Sequence, residues 1–220
     1  MKFSSLFLVA SLALAGCSKK EEPKPATTTE TPAAEQPAAE TPPAQPAAET
    51  PAAAEDPNAD SIVAYATHKE PKPEDPVKVK FSNFSVKAAK FDPTNLEGGT
   101  ATIELDMSSI SSGSEKRDGH LKTGDYFDVA KFATATIDVA NVKKKDEKTY
   151  TADATVKLRD IEKTYPVTFE VLQTKDDAVQ IKGVHEFART DFGIGKDPAD
   201  ENEGVAPSVK IEMQLWLKNT

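Results

Sequence analysis

From Val77 to the C-terminus the chain keeps returning to one pattern, an apolar residue followed by a polar one. Val77, Val79 and Phe81 alternate with lysines, and Ala101, Ile103 and Leu105 with Thr102, Glu104 and Asp106. Ala135, Ile137 and Val139 repeat the pattern, and Tyr150, Ala152, Ala154, Val156 and Leu158 share one face of the next run. Val167, Phe169 and Val171 follow, then Val179 and Ile181, and the chain closes on Val209, Ile211, Met213, Leu215 and Leu217. A period of two marks half-buried antiparallel strands. Lys143–Lys148 and Asp176-Asp177 read as hairpin tips. The alternation stops over Ser114–Lys131, which is predicted to hold the one helical piece. About eight strands and one short helix predict an all-β fold, an antiparallel closed barrel, because closure removes exposed sheet edges.

Such a barrel either packs its interior or holds one small ligand. Ala101, Ala135, Ala152 and Ala154 face inward and leave volume there, unless long side chains opposite fill it. Periodicity alone does not separate the two outcomes. Trp216 is out of phase with its neighbours and is predicted to face outward, packed under the helix or a loop.

The first 60 residues differ in kind. Lys2 precedes a short apolar run over Leu6–Leu14, too short to span a bilayer and laid out like a secretory signal. Leu14-Ala15-Gly16-Cys17 resembles a bacterial lipobox, which implies lipidation of Cys17 after removal of residues 1–16. Cys17 is the only cysteine, so the fold has no disulfide to draw on. Ser18 follows it, and by analogy with lipoprotein sorting this points to the outer membrane. Residues 18–60 hold nine prolines, three lysines against nine acids, and no aromatic residue. That composition does not fold and reads as a disordered Pro/Ala/Glu-rich tether. Extended, it reaches about 130 Å at ~3.1 Å per residue. The folded domain is therefore expected over 61–220. The net charge of −9 argues against nucleic acid, which asks for a basic patch.

One block is more specific. Arg117-Asp118-Gly119-His120-Leu121, followed by Asp125-Tyr126-Phe127-Asp128-Val129 and Lys131-Phe132, resembles the hallmark of the YceI-like family. Ser108-Ser109-Ile110, the stretch Leu158–Pro166 and Arg189-Thr190-Asp191-Phe192-Gly193-Ile194 are similar to its other elements, in order and spacing. Two departures stand out. Glu74-Asp75-Pro76-Val77 lacks the histidine and serine with which many members begin, and Ile161-Glu162 replaces a glycine region. The resemblance covers roughly 75–218. It implies a lipocalin-like barrel that binds a long isoprenoid chain in its interior, with a quinone, a polyprenyl carrier or a fatty acyl chain all open. The ligand would then lie against inward residues: Val79, Phe81, Ile103, Leu105, Phe127, Ile137, Ala152, Ala154, Val156, Phe169, Ile181, Ile211, Met213 and Leu215. Arg117, Asp118, His120, Arg189 and Asp191 would form a structural motif, with Arg117 pairing to Asp118 or Asp191 and clamping the helix to the barrel.

Asp118, His120 and Asp125 are close in sequence, so a hydrolase using His120 and Asp118 is an alternative. On a helix, however, residues two apart face different ways, and the chain has neither a nucleophile elbow nor a phosphate-binding glycine loop. A packed structural spacer is a second alternative. No metal is expected, since His68, His120 and His185 occur singly. The acidic stretch Asp197–Gly204 reads as a solvated loop or a lid. The expectation is a non-catalytic envelope lipoprotein held to the outer membrane by its lipid, with its barrel in the periplasm carrying a long apolar lipid. Its oligomeric state is left open, a dimer included.

Overall fold

The computed structural model of the protein describes residues 58–201 and 203–220. The expected targeting segment, Cys17 and the expected tether as far as residue 57 lie outside the described residues. One antiparallel sheet is built from β1 (Ser61–His68), β2 (Val77–Phe81), β3 (Phe84–Asp92), β4 (Asn95–Asp106), β5 (Ile110–Ser111), β6 (Thr134–Lys144), β7 (Thr149–Leu158), β8 (Ile161–Lys175), β9 (Ala178–Ala188) and β10 (Val205–Lys218). Their order in space is β3-β4-β6-β7-β8-β9-β10-β1-β2-β5.

Two of the junctions are breaks within a strand. Ser82-Asn83 alone part β2 from β3, and the 3-10 turn Met107–Ser109 alone parts β4 from β5. The ten segments therefore amount to eight strands, and the two ends of the spatial order are continuations of strands already in the sheet. The broken strands run side by side, from Phe84↔Leu105 across to Phe81↔Ile110. At the break the Asp106 N–H donates to the Asn83 carbonyl and the Ser82 N–H to that of Ser109. Beyond β10, the Thr220 N–H donates to the Ala89 carbonyl at 3.0 Å, and the Asn219 side chain bonds both the N–H and the carbonyl of Phe91. The sheet thus curls into the barrel that the alternation predicts, with its edges tied together.

Two strands escape the period-two reading for local reasons. A bulge between Val86 and Ala88 shifts the inward phase of β3 from Phe84 and Val86 to Ala89 and Phe91. β1 carries Val63 and Tyr65 outside and small Ala64 and Ala66 inside, so its faces differ little in sequence. In β6 a further bulge, with Asn141 at φ 53°, turns Val142 inward.

The helix is shorter than expected. α1 covers Glu115–Leu121, not Ser114–Lys131. After Leu121 the chain coils through tight turns, and Asp128 adopts φ 46°, a conformation no helix continues through. The barrel's contacts also start before residue 61. The Asp60 carboxylate accepts from the Trp216 N–H at 2.8 Å, and Asn58 bonds Gln173 and the buried Gln180. Trp216 is half-buried on the outward face, as its phase predicts.

Candidate ligand-binding site

Three adjoining cavities run down the barrel interior. The upper one, about 100 Å³, lies under the hairpin tips and is lined by Phe91, Leu96, Ala101, Ile103, Val142, Phe169, Ile181 and Leu217 among others. The middle one, also about 100 Å³, is walled by Leu105, Ala135, Ile137, Val156 and Tyr165. The lower one, about 210 Å³, ends among Val79, Leu121, Tyr126 and Phe127, where α1 and the 193–204 loop meet the barrel. Upper and middle share Val167, His185, Ile211 and Met213, while middle and lower share Phe81, Leu158, Phe187 and Ile211. The three cavities thus follow one another along a mostly apolar interior channel partitioned by shared side chains, and Ile211 borders all of them.

Eleven of the fourteen residues singled out as ligand-lining face this channel: Val79, Phe81, Ile103, Leu105, Phe127, Ile137, Val156, Phe169, Ile181, Ile211 and Met213. Ala152, Ala154 and Leu215 are buried in the core but line none of the three cavities. The reason lies across the strands. Ala152 sits opposite Val167 and Ala154 opposite Tyr165, while stacked Tyr150 and Phe169 rings, 5.7 Å apart, take up the space above. At these two alanines the opposing side chains fill the volume. At Ala101 and Ala135 they do not.

The polar groups sort by end. His68, Arg117, His120 and Arg189 lie at the lower mouth. His68 Nδ1 meets an Asp75 oxygen at 2.7 Å. The Lys72 N–H at 2.8 Å, and then His68, hold the Asp75 carboxyl below its ordinary value. The expected ion pair between Arg117 and either Asp118 or Asp191 does not form. Arg117 Nε donates to Ser112 Oγ at 2.9 Å, and Asp118 accepts from the Ser112 N–H at 2.7 Å, so Ser112 stands between them. Asp191 is taken by the Tyr165 hydroxyl at 2.9 Å. Burial, and then this carboxylate, push the Tyr165 phenol upward, so it stays protonated and donates. Nor do His120 and Asp118 come together. His120 Nε2 lies 3.7 Å from Asp125, with both side chains mostly in solvent.

Arg189 has a partner that the sequence reading missed. It is 2% exposed and its guanidinium meets Glu203, 4% exposed, at 3.2 Å. The same guanidinium donates to the carbonyls of Ile194, Lys196, Val205 and Ala206. Glu203 in turn accepts the N–H groups of Lys196 and Val205 at 2.8 Å. The acidic loop is largely exposed, as expected, but at Glu203 it turns inward and is buried. Gly195 explains how it fits. At φ +71° its backbone passes so close that a Cβ would stand 2.6 Å from Arg189 Nη1. Among the described residues no three of His, Cys, Asp and Glu converge as metal ligands would.

Comparison with known proteins fits this architecture. A UPF0312 protein of Staphylococcus aureus (strain N315) is 33% identical over 142 residues, covering 62% of this chain and 81% of that protein. Among solved structures, BcnA of Burkholderia cenocepacia superposes with a TM-score of 0.64 at 21% identity, over 72% of this chain and 96% of that one. A polyisoprenoid binding domain from Saccharophagus degradans gives 0.55 at 12% identity, over 74% and 95%. At these identities the structural likenesses speak to the fold. The model of the YceI-like domain matches residues 55–217, nearly the whole of the described barrel. The chain therefore belongs to the YceI-like family.

Proposed function

We propose that the protein binds and carries a long isoprenoid-type lipid inside its barrel, without chemical conversion. The observation that carries this reading is the row of three mostly apolar cavities down the barrel interior, adjacent through shared side chains. An isoprenoid of forty to fifty carbons offers several hundred Å² of apolar surface, and at about 25 cal/mol per Å² its gross burial exceeds 10 kcal/mol before ordering costs. The polyisoprenoid-binding description of the Saccharophagus domain, which shares the fold, supports the same ligand class. The arrangement at Asp118 and His120 favours a structural over a catalytic use of the motif. The test is mass spectrometry of organic extracts from protein purified without detergent. A polyprenyl species approaching one per barrel is expected, and extracts holding no apolar lipid at all would refute the carrier.

We further propose that Cys17 carries the lipid anchor and that residues 18–57 hold the barrel away from the outer membrane, on its periplasmic side. The lipobox-like sequence and the proline-rich composition support this. The Cys17→Ser variant is expected to leave the membrane fraction with the thermal midpoint of its barrel unchanged. Normal processing with continued membrane partition would contradict the anchor.

A further inference from the structure

Inside the channel one group is out of keeping with the rest. His185 projects from β9 where the upper and middle cavities join, opposite Ile211 of β10 and beside Val167 and Met213. Its Nε2 is buried and has no hydrogen-bond partner. Tyr165 is near, with ring centroids 5.1 Å apart, but its hydroxyl is given to Asp191. A buried polar atom left unpaired is destabilising, and an apolar residue would fill the same wall without that cost. The other orphan among the described residues, Arg159 Nε, differs. It lies on the hairpin joining β7 and β8, and its guanidinium already bonds the Gly193 carbonyl.

The strands around His185 are also unusual. The β8–β9 ladder runs only from Lys175↔Ala178 to Phe169↔Gly183 and stops before residue 184. Pro166 of β8, which has no N–H to give, lies just past that point. Val184, exposed to 49%, stands on the outer surface there, and the upper cavity is lined by Thr168, Gly183, Val184 and His185 at this level. His185 therefore faces the channel just past the point where the wall loses its hydrogen bonds.

We infer that His185 is a ligand-binding residue, and that the lipid carries an uncharged oxygen, a hydroxyl or a carbonyl, which hydrogen-bonds its Nε2 in the middle of the barrel. This inference rests on the carrier reading and specifies its ligand. Burial lowers the imidazole's proton affinity, and the outward Glu186 only partly offsets this. The ring is therefore neutral, which suits a neutral partner. A hydroxyl serves whichever nitrogen holds the proton, because it both donates and accepts. The oxygen-bearing end then enters first, and the polar lower mouth around Arg117 does not hold it.

The test is a two-by-two comparison of probes and variants. The probes are geranylgeraniol and the hydrocarbon of the same skeleton lacking the hydroxyl, titrated into delipidated wild-type protein and the His185→Leu variant. Removal of one buried hydrogen bond is expected to weaken the alcohol about tenfold and to leave the hydrocarbon within about twofold. His185→Gln, which keeps a donor and an acceptor, is expected to restore most of the alcohol's affinity. In wild-type protein the ¹⁵N resonance of the His185 ring should move with the alcohol and stay with the hydrocarbon, a readout that does not depend on a variant folding. Alcohol affinity unaffected by His185→Leu, an equal fall for both probes, or an unmoved ¹⁵N resonance would overturn the subsite while leaving the carrier standing. If neither probe binds the wild type, the carrier reading fails and the subsite with it.

Discussion

Replacing Arg189 with alanine is expected to destabilise the domain by about 3–5 kcal/mol, because it leaves the Glu203 carboxylate buried without its counter-charge. The variant also strips partners from four carbonyls within the fold. Breaking such a pair costs more than the pair contributes, since the remaining charge has no water to turn to. Urea unfolding followed by circular dichroism should show a much lower midpoint at unchanged slope. Arg189→Lys should rescue little, because an ammonium lacks the planar fork that reaches carboxylate and carbonyls together. Arg117→Ala is the control. Its partner Ser112 is only partly buried, so the loss should stay near 1 kcal/mol. Comparable losses for Arg117→Ala and Arg189→Ala would contradict the assignment of the buried pair to Arg189 and Glu203.

The second large effect concerns binding. Ala135 lines the middle cavity and Ala101 the upper one, whereas Ala152 faces a filled region. Phenylalanine at Ala101 and Ala135 together should occupy the channel, cut bound lipid to a small fraction and leave the melting temperature nearly unchanged. Phenylalanine at Ala152 should do the reverse, costing about 1–3 kcal/mol in overpacking strain while lipid is retained. Lipid per protein measured beside the thermal midpoint separates the two classes. Equal lipid in the double variant and the parent would show that the ligand lies elsewhere.

These four alanines also mark how far the fold is legible from sequence alone. Alternation places all of them on the inward face, and the structure agrees, but alternation says nothing of what stands across the strand. Tyr165 opposite Ala154 and the Tyr150–Phe169 stack near Ala152 decide packed against hollow, and those pairings depend on register. Unbroken alternation, as in β7 and in β4 from Ala101 to Leu105, is legible directly. β3 is not, because one bulge residue resets its phase. The helix is shorter than the non-alternating stretch because Gly124 and the left-handed Asp128 lie in its second half, where the only clear sequence signal is the loss of alternation. Glu203 was hidden for a different reason. It sits among solvent-facing acids, and only the fold of the 193–204 loop brings it onto Arg189. His185 did carry a signal. It is in phase with Ile181 and Phe187, so an inward histidine could have been read from the period of β9.

The central claim is that one apolar chain threads the barrel interior. An experimental structure of the protein purified with its native lipid tests this most directly. The account predicts continuous, chain-like density with regularly spaced methyl branches passing Ile211, with an oxygen within hydrogen-bond distance of His185 Nε2. Side chains closing the channel, with no lipid recoverable from the same crystals, would contradict it.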